Sequence, residues 1–237
     1  MAELTPTFTT RTALHTIAAH VLARRRFAVG GRFGLRAGPG GIATPAFGDD
    51  PETIRISGVT LVREVGGRST RVPINGSTLR DLAGFVDADL DAPFSCGADA
   101  PPLGAVDVAF DLVVEAATAI SDWFALAWTV LDDILGTLPK GSEVATIQLW
   151  PEHFDAATTV TVPSGQQVNL GFSPGDAFES GPYLYVGPWG PERPGDPTFW
   201  NAPFGATRRR SEAQSSASAA EFCRQFLTEG LDLVSPS

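Results

Sequence analysis

His153 stands two residues before Asp155, in a segment that also holds Trp150 and Glu152. On an extended backbone, residues two apart share a side. An imidazole and a carboxylate would then meet there, as a general base with its orienting acid or as a pair of metal ligands. The bland alternative is a turn in which His153 satisfies backbone groups. Two ligands do not make a metal site, so His153 and Asp155 are read as candidate catalytic residues, with no metal and no cofactor expected. His15 and His20 lie five apart on the first helix, about 140° around a regular α-helix, which prevents joint chelation. No Gly-x-Ser-x-Gly elbow or phosphate-loop pattern occurs, and no cysteine neighbours a histidine; serine or cysteine hydrolysis and nucleotide binding lack motif support.

A second constellation surrounds this segment. Three of the five Trp and both Tyr fall between residues 150 and 200. In the strand at 168–173, Val168, Leu170 and Phe172 alternate with Asn169, Gly171 and Ser173; in the strand at 183–187, Leu184 and Val186 alternate with Tyr183, Tyr185 and Gly187. Strand parity sends the apolar sets to a core and gathers the others on one face. That face reads either as solvated or as a concave ligand surface with aromatic walls and a few polar anchors. The candidate ligand-binding residues are Trp150, Asn169, Asp176, Tyr183, Tyr185 and Trp189, for a small-molecule ligand.

Four helices can position these residues. They are expected near 12–27, just after Ser77, at 107–135 and at 219–234, from apolar stripes of period 3.6. Ser218 and Glu221 read as a capping box for the last helix. Trp123, Phe124, Phe222 and Phe226 sit on inward stripes and are expected in the core, and Cys223 reads as packing rather than nucleophile. Strands are expected at 32–37, 53–57, 59–65 and 69–74, then at 146–150, 157–162, 168–173, 183–187 and 206–210. Gly and Pro clusters punctuate them, including Gly38-Pro39-Gly40-Gly41. Each half reads helix, strands, helix, and the Pro101-Pro102 stretch divides them. The expected fold is a single α+β domain over 1–237, with largely antiparallel sheet and helices packed on one face. An internal duplication of a helix–strands–helix unit would relate residues of about 10–90 to those of about 107–234.

Composition bounds the function. The 237 residues carry 17 basic and 27 acidic side chains, a net charge of −10, which disfavours nucleic-acid binding. Eleven of the acids, and no Lys or Arg, fall between Asp81 and Pro139; this reads as a solvated acidic face, or more sharply as a surface for a cationic partner. No apolar run reaches the ~18 residues of a membrane span, no secretory signal is visible, and Cys96 and Cys223 form no disulfide framework. A cytoplasmic bacterial protein is expected; oligomeric state is not legible. The segments 150–155, 169–176, 182–189 and 199–206, with the first helix and residues 31–36, resemble a family of actinobacterial proteins. The order of elements is more distantly similar to a larger bacterial family catalogued as a domain of unknown function. The resemblance implies no activity and carries over no catalytic residue. Small-molecule binding is the favoured reading, and an isomerase, lyase or hydrolase using His153 and Asp155 is the alternative.

Overall fold

The structure, a computed structural model, describes residues 6–38, 41–213 and 219–235. Pro39 and Gly40 of the glycine-rich turn and Ser218 of the expected capping box lie outside the described residues. The chain forms two units: one holds the chain up to Ala125 together with Leu149–Phe154, the other holds Leu126–Gln148 and the chain from Asp155 onward. The change-over falls within a helix.

In the first unit, α1 (Pro6–Ile17) runs into a π-helical segment (Ala18–Ala23) and then α2 (Arg24–Gly30). Every π residue is buried. Gly31, at φ +65°, donates its N–H to the Phe27 carbonyl and closes α2 in the left-handed conformation that glycine tolerates. Strands β1 (Arg36–Gly38), β2 (Gly41–Ala43), β3 (Glu52–Ser57), β4 (Thr60–Val65) and β5 (Arg68–Pro73) follow in that spatial order, each antiparallel to the next. Residues alternate along β3, with Ile54 and Ile56 buried and Arg55 and Ser57 half-buried, as period 2 requires. Glu52 opens this strand at 4% exposure and is held by Arg25 and Arg63, each at 2.9 Å. Such a buried carboxylate needs its cations. Helix α3 (Leu79–Phe85) starts on a capping box: Thr78 Oγ1 accepts the Asp81 N–H at 3.1 Å, and Asp81 Oδ2 accepts the Thr78 N–H at 2.9 Å.

Helix α4 (Val114–Leu135) contributes to both units. It begins seven residues later than its stripe predicts, because the Asn75 amide captures the chain there: it accepts the Leu112 N–H at 2.8 Å and donates to the Leu112 carbonyl at 3.0 Å. These bonds replace helical pairing. Trp123 and Phe124 are core residues of the first unit, at 1% and 0% exposure.

The second unit carries β6 (Glu143–Val144), and β7 (Gln148–Trp150) then leads the chain back into the first unit, where Leu149 and Leu35 exchange backbone hydrogen bonds of 2.9 Å. Strands β8 (Asp155–Thr161), β9 (Gln167–Ser173), β10 (Tyr183–Pro188) and β11 (Ala206–Arg209) complete an antiparallel sheet in the order β11-β10-β9-β8-β6. The short α5 (Arg210–Ala213) leads on towards α6 (Ala219–Val234), which matches its expected bounds. Gly230 lets α6 approach the sheet: a Cβ there would come within 2.7 Å of Val186 Cγ2. Cys223, Phe226 and Leu227 are buried, whereas Phe222 is only partly so. The chain is α+β with antiparallel sheets, as its residues predict; the duplication is not confirmed. Among the described residues, no helix is long and apolar enough to cross a membrane.

Candidate functional site

The second unit's sheet face is built by register. Tyr185 on β10 pairs with Gly171 on β9, which pairs with Ala157 on β8; Tyr183 pairs with Ser173, and Gly187 with Asn169. Leu170, Phe172, Leu184 and Val186 are fully buried on the opposite face. Gly171 is where the Tyr185 ring lies, since a Cβ there would overlap the ring carbons. The two tyrosines are 6.2 Å apart between ring centroids.

Each phenol meets a carboxylate. Tyr185 donates through a short hydrogen bond to Asp155 Oδ2, and Asp155 is 6% exposed. Tyr183, 4% exposed, donates to Asp176 Oδ2 at 2.6 Å. Asp176 is itself fixed by the N–H groups of Phe178 and Glu179, at 2.8 and 3.1 Å on Oδ1. Burial, then the neighbouring carboxylate, pushes the titration of both phenols far upward. Both tyrosines therefore stay neutral donors across the physiological range.

Above this floor lie aromatics that sequence reasoning missed. Phe178 packs against Tyr183 and Phe204, at 5.9 and 5.1 Å, and Phe204 meets Tyr185 at 6.1 Å. Phe178 and Phe204 remain 48% and 38% exposed. Both sit in loops, without the periodicity that reveals strand or helix residues. Trp189 is 64% exposed, yet its Nε1–H is anchored on Asn169 Oδ1 at 2.9 Å. The same oxygen accepts from Thr159 Oγ1 at 2.8 Å. Two donors on one oxygen fix the amide's orientation, and no protein acceptor among the described residues takes the Asn169 Nδ2 hydrogens. The arrangement offers aromatic faces and one oriented amide donor.

Trp150 and His153 belong to the first unit, whereas Asp155, Asn169, Asp176, Tyr183, Tyr185 and Trp189 belong to the second. The extended backbone expected between His153 and Asp155 does not form. Residues 151–154 are a turn, with Phe154 at φ +55° and its N–H on the Trp150 carbonyl at 2.8 Å. His153 faces instead the carboxylates of Asp99 and Glu152, each at 3.8 Å. One donor atom from each of these three residues falls within 4.8 Å of the others. Asp99, 53 residues upstream of Glu152, has no local sequence signal tying it to this turn.

His15 and His20 are both withdrawn from solvent. His15 Nε2 lies 2.9 Å from the Pro151 carbonyl and its ring stacks on Phe154 at 4.9 Å; His20 Nε2 lies 2.8 Å from the Pro101 carbonyl. Burial lowers the proton affinity of both, and each is further lowered by a neighbouring cation or imidazole. The imidazole that acts on His15 is that of His20, five residues further along the chain. Cys96 and Cys223 are buried and unpaired. Desolvation raises both thiols, Cys223 to about 11, which disfavours the reactive thiolate form.

A cavity of about 450 Å³ opens in the first unit beside α1, lined by Phe8, Ala13, Leu79, Leu103, Val108 and Phe110 among others, none of them charged. The hydroxyls of Thr12 and Thr16 at its wall donate to carbonyls of their own helix. Comparison of the chain with protein-family models, with curated proteins and with solved structures gives no match.

Proposed function

We propose that the protein binds an uncharged small molecule on the aromatic face of the second unit's sheet. The exposed side chains of Phe178, Phe204 and Trp189, above neutral Tyr183 and Tyr185, support this reading. Large aromatics left in water are costly unless they serve contact. The charges nearby are already engaged: Asp176 and Asp155 by the phenols, and Glu179 by Arg209 at 2.5 Å. What is left for a ligand is ring surface and the Asn169 amide, which suit a flat, uncharged ring bearing an acceptor oxygen. Arg209, the register partner of Tyr183, is the cation on this face and is held by Glu179; a net charge of −10 likewise speaks against a nucleic-acid role. Two buried, unpaired cysteines support a cytoplasmic setting. Catalysis by His153 with Asp155 is the less favoured reading, because the turn gives the two side chains different partners.

Ligand-observed NMR tests this, using a library of uncharged aromatic rings that bear carbonyl or ether oxygens. Saturation transfer is expected with the wild-type chain and is expected to vanish in Trp189→Ala and Asn169→Ala with circular dichroism unchanged. Absence of any binder, or binding that survives both substitutions, would overturn the assignment.

A further inference from the structure

The turn at residues 151–154 is held on several sides. The Leu35–Leu149 bridge fixes its entry, the His15 ring engages the Pro151 carbonyl, and buried Phe154 packs between His15 and Phe124, at 4.9 and 5.3 Å. Two side chains leave this pinned turn together, Glu152 and His153. Asp99 comes to meet them from the loop before Pro101, with its backbone N–H on Glu152 Oε1 at 3.3 Å. Gly97 makes the room, since any Cβ there would overlap the Glu152 carboxylate.

His153 is the only ion-pair partner of Asp99 or Glu152 among the described residues; no Lys or Arg reaches either carboxylate. Asp99 lies within the stretch from Asp81 to Pro139 that carries eleven acids and no base. Two carboxylates on either side of an imidazole form a mixed nitrogen–oxygen donor set. We propose that Asp99, Glu152 and His153 bind a divalent first-row transition-metal cation, such as Zn²⁺. An imidazole donor favours such ions over Mg²⁺ and Ca²⁺, which prefer all-oxygen shells. Ligand atoms at roughly 2.0–2.2 Å from a tetrahedral ion stand about 3.4 Å apart. The donors here lie within 4.8 Å of one another, so closure needs a shift of about an ångström. The side chains of Asp99 and His153, 75% and 52% exposed, are free to rotate by that much, while Glu152, at 21%, stays as the anchor. Three protein ligands leave a coordination position open to water or to an oxygen-bearing ligand.

The test is calorimetric titration of the EDTA-treated full chain with zinc chloride and, separately, magnesium chloride. One equivalent of Zn²⁺ is expected to bind, with little heat from Mg²⁺. Asp99→Asn, Glu152→Gln and His153→Ala are each expected to weaken Zn²⁺ binding by roughly tenfold or more. The exposed positions of Asp99 and His153 keep the fold out of question, and unchanged melting curves without metal check this. Failure of Zn²⁺ to saturate the wild-type chain, equal affinity for Mg²⁺, or Zn²⁺ affinity preserved in all three variants would overturn the proposal.

Discussion

Replacing Gly171 by alanine isolates the contact on which the aromatic floor rests. The backbone at Gly171 is ordinary strand, absent from the positive-φ positions, so alanine itself fits and would by propensity stabilise the strand. The obstacle is Tyr185: the new Cβ would stand 2.6 Å from its Cε1 and closer still to Cζ and the hydroxyl. Carbon atoms rest at about 3.5–4.0 Å, so the ring must move by about an ångström and its hydroxyl must leave Asp155. Depriving that carboxylate, 6% exposed, of a donor costs about 1–3 kcal/mol, and overpacking costs about 1–3 kcal/mol more. A loss near 3 kcal/mol corresponds to roughly 6–12 °C in melting temperature for a chain of this size. Thermal and urea unfolding followed by circular dichroism read it directly. The control is the same substitution in a Tyr185→Ala background, where the ring is gone and the added cost should fall below about 1 kcal/mol. An unchanged melting temperature, or an equal cost in both backgrounds, would show that Tyr185 does not rest on Gly171.

Acidification should destabilise the fold through its buried histidines. His15 and His20 titrate below 6.5 when folded, chiefly because burial disfavours the charged ring; their contribution is complete above pH 6.5 and is lost as pH falls below it, when only the unfolded chain takes up protons. The slope is up to about 1.4 kcal/mol per pH unit for each histidine. Urea midpoints at pH 7.5 and 5.5 measure it, and His20→Gln should flatten it; a slope indifferent to that change would contradict a buried neutral His20. Phe226→Ala should cost about 3–5 kcal/mol, because this ring is 4% exposed and packs on Phe199 at 5.3 Å beneath the Arg208 guanidinium. A calorimetric melt within a degree or so of wild type would place that ring outside the core.

Where local pattern and packing agree, the fold is legible in the residues. The stripe of Cys223, Phe226, Leu227 and Leu231 marks α6 at its observed bounds, and alternation along β3 and β9 is enough to identify their buried faces. The early start expected for α4 shows the limit: Leu112 continues the helical stripe, but Asn75, 37 residues away, claims its backbone groups. The Tyr183–Tyr185 face is readable from parity, yet its carboxylate partners and the Phe178 and Phe204 cover depend on loops with no period. The grouping of Asp99 with Glu152 and His153 is a tertiary event across 53 residues. Pairing His153 with Asp155 assumed a straight backbone where Phe154 turns it.

The π segment at Ala18–Ala23 also bears on how this chain could have changed over time. A π turn is an α-helix that has absorbed one inserted residue. Loss of a single alanine there would restore a regular helix and leave the residues on either side in nearly the same angular phase, because the wide turn has already taken up the ~100° that one residue adds. His15 would keep its place at the Pro151 carbonyl, and the turn bearing Glu152 and His153 would keep that support. The π turn thus separates the length of this helix from its angular setting: one residue can be gained or lost within Ala18–Ala23 while the contacts made by the flanking turns stay in place.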